Sequence, residues 1–548
     1  MADTQPPAEW KALVAERRKE LDALMPKEWT LSEGFKASLP SNGRLLQADP
    51  VRKSGILSDA ELDITENYSA TQLLQRLAEG GVSSLAVATA FCKRAAIAQQ
   101  LTSCLTEHFF SRARERAQYL DDYFKREGKV IGPLHGLPIS LKDTFSVEGV
   151  HTTIGFVSFL ENGPAKSNSA LVNLLLNLGA VLYVKTNLPQ TVMTGDSDNN
   201  IYGRTLNPHN TNLTAGGSSG GEGALIAFRG SILGVGTDLA GSVRIPSLCC
   251  GLYGFRPTAN RIPFGGQVVP IALQGLPGLE PTAGPLTQTL DDTELFMSSV
   301  LDAQPWRYDI DAIAAPWSPP KSQALLTIGI LPEDEHYPLH PPIRRAIESA
   351  IEALERKGHR IVRLSNNPDR GVAYANRLAF EYFTYAPLPD FISPSGEPVI
   401  PSVANLPTPM FSGPFPVSQD LEIFQKLNDL HVAKSKYSGA WQKTFIESEL
   451  DVVLAPSAQN TAVPHDTYGW PPYTVLWSLL DYPACVIPYG TASRELDGEP
   501  MRMNESGQPN YDPEAVDGAP CSIQIITPRF QDEKCLAAAR VIDRDIRG

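Results

Sequence analysis

The chain has 548 residues, is 42% hydrophobic and carries a formal net charge of −14 at pH 7. This length can bury a large core, and the acidic balance argues against nucleic acid or an anionic membrane as a partner. No apolar run reaches the roughly 18–20 residues that a membrane-spanning helix needs. The N-terminus is charged and lacks the apolar core of a signal peptide, so the sequence predicts a cytoplasmic protein without a membrane span.

The residues that bind metals in proteins are scattered along this chain. Its seven cysteines are an odd number and include no CxxC pair, which predicts neither a disulfide framework nor a zinc site. The nine histidines include no HExxH motif. His135 precedes an apolar run, where it is either a catalytic helper or a hydrogen-bonded structural residue. We therefore expect no metal and no cofactor.

Helix and strand patterns alternate along the chain. Residues 137–141, "LPISL", form an apolar run typical of a strand that enters the core. Residues 167–184 predict a helix that ends at Gly179 and a buried strand after it. Residues 341–364 repeat this arrangement, with Gly358 between helix and strand. Such units favour an α/β fold in which helices cover a sheet.

The stretch 212–247 is unusually rich in glycine and has three alternative interpretations. "GVGTDLAG" begins like the GxGxxG loop of a dinucleotide site, but Leu239 stands at the third glycine. "GGSSG" and "GSSGG" fit a nucleophile elbow centred on Ser218 or Ser219, which requires a strand directly before it. The glycines could also let two structural elements pack closely, without any chemistry.

Lys142 follows the apolar run 137–141 and is unusual in that position. Lysine is almost never fully buried unless it is paired. One interpretation is a lysine at a strand end whose ammonium group reaches solvent. The other is a buried base that acts together with the serines downstream.

Three segments together resemble the signature of the amidase signature family, and in particular fungal acetamidase-type amidases. They are "GLPISLKD", "GGSSGGE" and "GVGTDLAGSVRIP", with Ser218 and Ser242 24 residues apart (242 − 218 = 24). The resemblance implies an α/β fold with a large mixed sheet and helices on both sides. It also implies a catalytic domain at 71–540, and residues 1–70 before it are predicted to form a helical arm and lead-in. Within that domain the signature core spans about 130–260 and a second lobe spans about 325–540, with the proline-rich residues 315–322 as a connection between lobes.

The resemblance also implies roles for individual residues. Ser242 would be the nucleophile, Ser218 a bridging serine and Lys142 the base, with a cis peptide bond between Gly217 and Ser218. The Val192 carbonyl would face the amide nitrogen, and backbone N–H groups of the turn at 239–242 would bind the oxyanion. The implied substrate-binding residues are Val192, Ser218, Leu239, Ala240, Gly241 and Ser242.

The chemistry of Lys142 can be argued from residue types. A lysine with the ordinary pKa of about 10.4 is protonated at pH 7 and cannot accept a proton. Burial beside the apolar run would lower that pKa. Asp143 would oppose this effect if it touched the ammonium group. Successive side chains of a strand point to opposite faces, so we expect Asp143 to point away from Lys142.

Two groups of side chains keep alternative interpretations. Asp238 and Arg244 flank the predicted oxyanion turn, either as braces of the site or as a plain structural ion pair. Trp470, Tyr473 and Trp477 either line a pocket for the acyl group or belong to the core.

The sequence thus predicts an enzyme that cleaves a small-molecule carboxylic amide to an acid and an amine or ammonia, through a Ser-Ser-Lys triad and a covalent acyl-enzyme. The alternatives are an esterase or acyltransferase that uses the same serine, an amidase of a specialised biosynthetic pathway, or a non-catalytic relative that binds amides. A homodimer is possible.

Overall fold

The computed structural model describes residues 9–270, 278–320, 323–385, 389–405, 416–503 and 507–548. The first eight residues of the predicted arm and residues 321–322 of the predicted connection lie outside these ranges. The described strands are β1 Leu105–His108, β2 Pro138–Lys142, β3 Val181–Thr186, β4 Leu233–Asp238, β5 Tyr253–Arg256, β6 Thr282–Thr287, β7 Thr327–Ile330, β8 Arg360–Arg363, β9 Val452–Pro456, β10 Ala484–Thr491 and β11 Pro520–Ile526.

The α-helices in the same ranges are α1 Glu9–Leu24, α2 Glu33–Ala37, α3 Leu45–Ala48, α4 Pro50–Ser54, α5 Asp59–Glu66, α6 Ala70–Ala78, α7 Ser84–Thr102, α8 Phe110–Glu127, α9 Ala170–Asn177, α10 Gly220–Ala227, α11 Arg244–Cys250, α12 Leu290–Asp302, α13 Pro341–Arg356, α14 Val372–Tyr385, α15 Pro401–Ala404, α16 Ile423–Glu447, α17 Pro472–Leu480 and α18 Asp532–Arg547. The three strands and two helices predicted above are confirmed as β2, β3, β8, α9 and α13. None of the described helices is long and apolar enough to cross a membrane.

The described strands form a single mixed sheet in the order β1-β3-β2-β4-β6-β5-β10-β11-β9-β7-β8. Strands β3, β2 and β4 run parallel to one another, and so do β9, β7 and β8. The strands between these two groups pair antiparallel. The predicted α/β class with a large mixed sheet is confirmed.

The central parallel strands are buried along their whole length, as are the strands of other parallel sheets that are covered on both faces. This explains why "LPISL" is apolar on both faces rather than alternating, with Ser140 as its one polar residue. The carboxyl ends of β2 and β4 lie at the same edge of the sheet because the two strands are parallel and adjacent. Lys142 ends β2 and Asp238 ends β4, so the fold brings the two signature segments together.

One connected core of buried apolar side chains extends from Trp29 to Ile546. The N-terminal helix α1 is also tied to the sheet, since buried Arg17 donates a hydrogen bond of 2.5 Å to Glu107 of β1. The division into an arm, a signature core and a second lobe stays a prediction. The large core contains residues of all three parts, and the sheet contains strands of the signature core and the second lobe.

Candidate active site

Lys142 lies at the carboxyl end of β2 with its side chain fully buried. Its Nζ is 2.7 Å from Oγ of Ser218 and 2.8 Å from Oγ1 of Thr237. Both partners are hydroxyl groups, and neither carries a charge. The sequence interpretation did not include Thr237, although its place in "GVGTD" directly before Asp238 puts it on the strand beside β2.

Burial lowers the pKa of Lys142 to about 7, against the opposing influence of the negative charges that Asp238 and Glu222 can carry. The cause is desolvation, because a buried ammonium group loses its hydration. A large fraction of the amine is therefore unprotonated at neutral pH and able to accept a proton. The apolar surroundings of "LPISL" have the effect that the sequence predicted.

Asp143 points away from Lys142, as strand alternation predicts. Its carboxylate accepts hydrogen bonds from the N–H groups of Thr153 and Ile154, at 3.0 and 2.8 Å, and pairs with Lys185 Nζ at 3.0 Å. Asp143 and Lys185 are both fully buried. The charge of Asp143 is therefore matched within its own face of the sheet.

Ser218 stands just before the first turn of α10, after a cis peptide bond from Gly217. Gly217 packs so closely on the carbonyl group of Thr194 that a Cβ at this position would collide with it. The N–H of Ser219 donates to the carbonyl oxygen of Ser242 at 3.2 Å. This bond joins the serine pair at α10 to the turn that follows β4.

Asp238 organises the turn between β4 and α11. Its carboxylate accepts from the N–H groups of Gly241 and Val243, at 2.9 and 3.2 Å, and is bound twice by the Arg244 guanidinium at 3.0 and 2.9 Å. Asp238 and Arg244 thus brace the turn as well as pairing with each other. Because the Gly241 N–H is engaged by Asp238, its predicted donation to a substrate oxygen is not supported. Ser242 is partly exposed on this turn.

Val192 ends a tight turn whose backbone is strained. Thr191 and Val192 have φ values of +75° and +62°, a conformation that β-branched residues rarely adopt. Gln190 donates to the buried carboxyl of Glu397 at 2.9 Å and accepts from the N–H of Ile400 at 3.1 Å. The distant segment around Glu397 therefore holds this turn in place, and no local sequence signal indicated it.

The amidase family profile matches residues 86–536, which is most of the chain. The chain belongs to the amidase family. It is a hydrolase of carbon–nitrogen bonds in linear amides. The resemblance noted in the sequence is confirmed.

Known relatives match this amidase over nearly its whole length. An amidase of Gibberella moniliformis is 41% identical over 97% of this chain and 98% of its own. An acetamidase of Emericella nidulans is 37% identical over 98% of each chain. Among solved structures, a fatty acid amide hydrolase superposes with a TM-score of 0.86 at 31% identity, covering 98% of this chain and 95% of its own. A bacterial aryl acylamidase shares the fold, with a TM-score of 0.68 at 21% identity over 87% of this chain and 96% of its own.

The other interpretations of the glycine-rich stretch in this amidase do not match its geometry. The "GVG" of the dinucleotide-like motif lies inside β4 rather than in a loop between strand and helix. Residues 207–217 before Ser218 form turns and isolated bridges, not the strand of a nucleophile elbow. The close-packing interpretation applies to several glycines. At Gly217 the neighbour is the backbone of Thr194, and at Gly234 it is the carboxyl group of Glu222.

Two side-chain alternatives are also decided by the amidase structure. The His135 ring accepts a hydrogen bond from the N–H of Ile131 at 3.1 Å, which is a structural role. Tyr473 and Trp477 are fully buried core residues. Trp470 is partly buried and donates to a side chain of α14. In the part of the chain that the structure describes, no three His, Cys, Asp or Glu side chains are grouped to hold a metal ion.

Proposed function

We propose that this amidase hydrolyses a carboxylic amide to an acid and an amine or ammonia through a covalent acyl-enzyme on Ser242. Ser218 is the bridging serine and Lys142 the general base. The observation that carries the proposal is the 2.7 Å contact between Nζ of a buried lysine and Oγ of Ser218. A serine hydroxyl needs an adjacent base to act as a nucleophile, and a lysine of lowered pKa is such a base.

In the acylation step, Oγ of Ser242 attacks the amide carbonyl carbon. Its proton passes to Oγ of Ser218, whose own proton passes to Nζ of Lys142. The result is a tetrahedral oxyanion and a lysine ammonium. Thr237 holds Nζ from a second direction at 2.8 Å, which keeps the amine oriented toward Ser218.

The oxyanion is stabilised by N–H groups of the turn after β4. Leu239, Ala240 and Ser242 supply these donors in the proposal, since Asp238 engages the N–H of Gly241. Ala240 is not among the residues with positive φ, so its methyl group is compatible with the turn. Fixed N–H donors of this kind are often the largest single contribution to acyl-transfer catalysis.

The tetrahedral intermediate then collapses as the carbon–nitrogen bond breaks. The Lys142 ammonium returns its proton through Ser218 to the leaving nitrogen, and the acyl group stays on Ser242. The Val192 carbonyl orients that nitrogen by accepting a hydrogen bond from it. Water attacks the acyl-enzyme by the same route in reverse order and releases the acid.

The test is covalent labelling of the nucleophile. We expect a fluorophosphonate probe to label the wild type, and Ser242→Ala to lose the label and amide turnover while keeping its fold. Ser219→Ala is the matched control, because Ser219 is buried beside Ser218 and has no role in the proposed proton path. Labelling that persists at Ser218 or Ser219 in Ser242→Ala would contradict the proposal.

The substrate class is sought with a panel of amides and ammonia release as the readout. Short aliphatic amides come first, because two of the relatives are named acetamidases. Long-chain amides come next, because the structural neighbour of highest TM-score reported above is a fatty acid amide hydrolase. A cytoplasmic location and a homodimer stay predictions.

A further inference from the structure

Glu222 is a fully buried acid in the first turn of α10, four residues after Ser218. Its Oε2 lies 2.5 Å from Oγ of Ser140, and its Oε1 accepts from Oγ1 of Thr186 at 2.9 Å. Among the described ion pairs, none includes Glu222. Its direct partners in these bonds are hydroxyl groups, which makes a buried carboxylate here unpaired and costly.

The hydroxyl chain that begins at Glu222 allows a count of protons. Ser140 Oγ is also 2.9 Å from Oγ of Ser231, which donates to the Leu233 carbonyl at 2.9 Å. The chain from Glu222 to Leu233 therefore has three contacts, each needing one proton. A serine hydroxyl has one proton, so the two serines supply two. The third contact is a hydrogen bond only if Glu222 supplies the proton as a carboxylic acid.

Asp238, the other acid close to Lys142, has the opposite surroundings. It receives backbone N–H groups, is bound by Arg244 at 2.9 Å and lies 3.7 Å from Arg256. Donors of this kind stabilise a carboxylate, although Arg256 also pairs with Asp481 at 3.1 Å. Desolvation acts against them, yet together they lower the pKa of Asp238. The surroundings of the two acids near Lys142 thus favour different protonation states, a carboxylic acid for Glu222 and a carboxylate for Asp238.

The titratable groups that face Glu222 are Lys142 on β2, Tyr183 on β3 and Cys104 before β1. Burial keeps the tyrosine and the cysteine neutral by raising their pKa values. A carboxylate at Glu222 would favour an ammonium at Lys142, whereas a carboxylic acid there would not. Only the neutral amine leaves Lys142 able to accept a proton.

We propose that burial and the hydroxyl chain through Ser140 and Ser231 keep Glu222 a carboxylic acid, and that Glu222 is thereby a positioning residue that leaves Lys142 a free base. This inference rests on the proposed role of Lys142. Burial raises the pKa of Glu222 to about 8, against the opposing effects of the Ser140 and Thr186 hydroxyls and of Lys142, and burial lowers the pKa of Lys142 to about 7. The order of these two pKa values agrees with the proposal.

The first test is the infrared difference spectrum between the resting wild type and Glu222→Gln at pH 7. The glutamine amide donates to Ser140 and accepts from Thr186, so it copies the hydrogen bonds of the acid. We expect the wild type to show a carbonyl band of a protonated carboxylic acid that the variant lacks. Carboxylate bands in its place would overturn the proposal. This readout needs no turnover, so it stands even if the role of Lys142 fails.

The second test is the acidic limb of the pH profile for fluorophosphonate labelling. We expect the midpoint of this limb in Glu222→Gln to lie within about 0.3 pH units of the wild-type midpoint, because one neutral group replaces another.

A limb that Glu222→Gln lowers by about one pH unit or more would overturn the proposal, since it would mean that a carboxylate faces Lys142 in the wild type. If Glu222→Gln does not fold, the infrared band of Ser140→Ala decides, because a carboxylic acid without its acceptor absorbs at higher frequency. An unchanged band in Ser140→Ala would then count against the proposal.

Discussion

Lys142 and Lys185 are two fully buried lysines on adjacent parallel strands, and their polar partners differ in charge. Lys185 on β3 pairs with Asp143 at 3.0 Å and donates to the carbonyl of His151 and the hydroxyl of Thr152. Lys142 on β2 has two hydroxyl groups as partners. Burial lowers the pKa of both lysines, and for Lys185 the charge of Asp143 opposes that effect directly. The partners, rather than burial, distinguish a proton acceptor from one half of an ion pair.

The largest expected effect comes from removing the proton acceptor. We expect Lys142→Met to lower kcat/KM for an amide by about 10²–10⁴-fold, the usual contribution of general acid–base catalysis. A matched activated ester should lose less, because an alkoxide or phenoxide leaves without the proton that an amine needs. The measurement is kcat/KM for the amide and the ester in wild type and variant.

Lys185→Met is the matched control for that experiment, measured on its folded fraction. It removes a buried lysine from the same sheet without touching Ser218 or Thr237. We expect its amide and ester activities to change by equal factors. An equal loss on both substrates in Lys142→Met would show that Lys142 does not deliver a proton to the leaving group.

The two lysine variants should rank in the opposite order when stability rather than activity is measured. Lys185→Met leaves Asp143 as an unpaired buried charge, so we expect the free energy of unfolding to fall by about 3–5 kcal/mol. Lys142→Met replaces an amine that is already largely neutral with an apolar side chain of similar length. We expect denaturant titrations at pH 7 to show little or no loss for it. A large loss of unfolding free energy in Lys142→Met, with little loss in Lys185→Met, would contradict this prediction.

The pH dependence of stability tests the lowered pKa of Lys142. The folded value of about 7 lies below the unfolded value of 10.5, so the unfolded chain binds the proton more tightly. This opposes folding fully below about pH 7, and the penalty fades as pH rises toward 10.5. The unfolding free energy of the wild type relative to Lys142→Met should therefore rise by about 1.4 kcal/mol per pH unit between these values. If the difference in unfolding free energy between the wild type and Lys142→Met does not change with pH, the lowered pKa of Lys142 is contradicted.

The smallest expected effect concerns the second hydroxyl partner of Lys142. Thr237→Val removes the 2.8 Å contact to Nζ and keeps the shape of the side chain. We expect kcat/KM to fall by roughly 10-fold, about the value of one hydrogen bond to an uncharged group. Thr102→Val is the control, since this buried hydroxyl is not a partner of Lys142 and donates to the carbonyl of Ala98 in its own helix at 2.7 Å. Equal losses in both variants would mean that Thr237 has no particular role.

Local patterns were sufficient for the elements that make the site possible. The run "LPISL" predicted β2 because a strand covered on both faces is apolar throughout. Strand alternation predicted that Asp143 points away from Lys142. The serines and the lysine were identified by their motifs, which resemble those of a known family. Their catalytic roles stay predictions until they are tested by labelling and kinetics.

Contacts between distant segments decided the rest. Thr237 meets Lys142, Glu397 meets the turn at Gln190, and Asp238 takes the N–H of Gly241 because the sheet order and loop packing bring them together. Gly217 and Gly234 allow the protein to pack closely on itself, against Thr194 and Glu222. The sequence alone determined the fold class, the family and the residue types of the site. Only the tertiary structure decided which groups face Lys142, because a pKa depends on neighbours that are far apart in the chain.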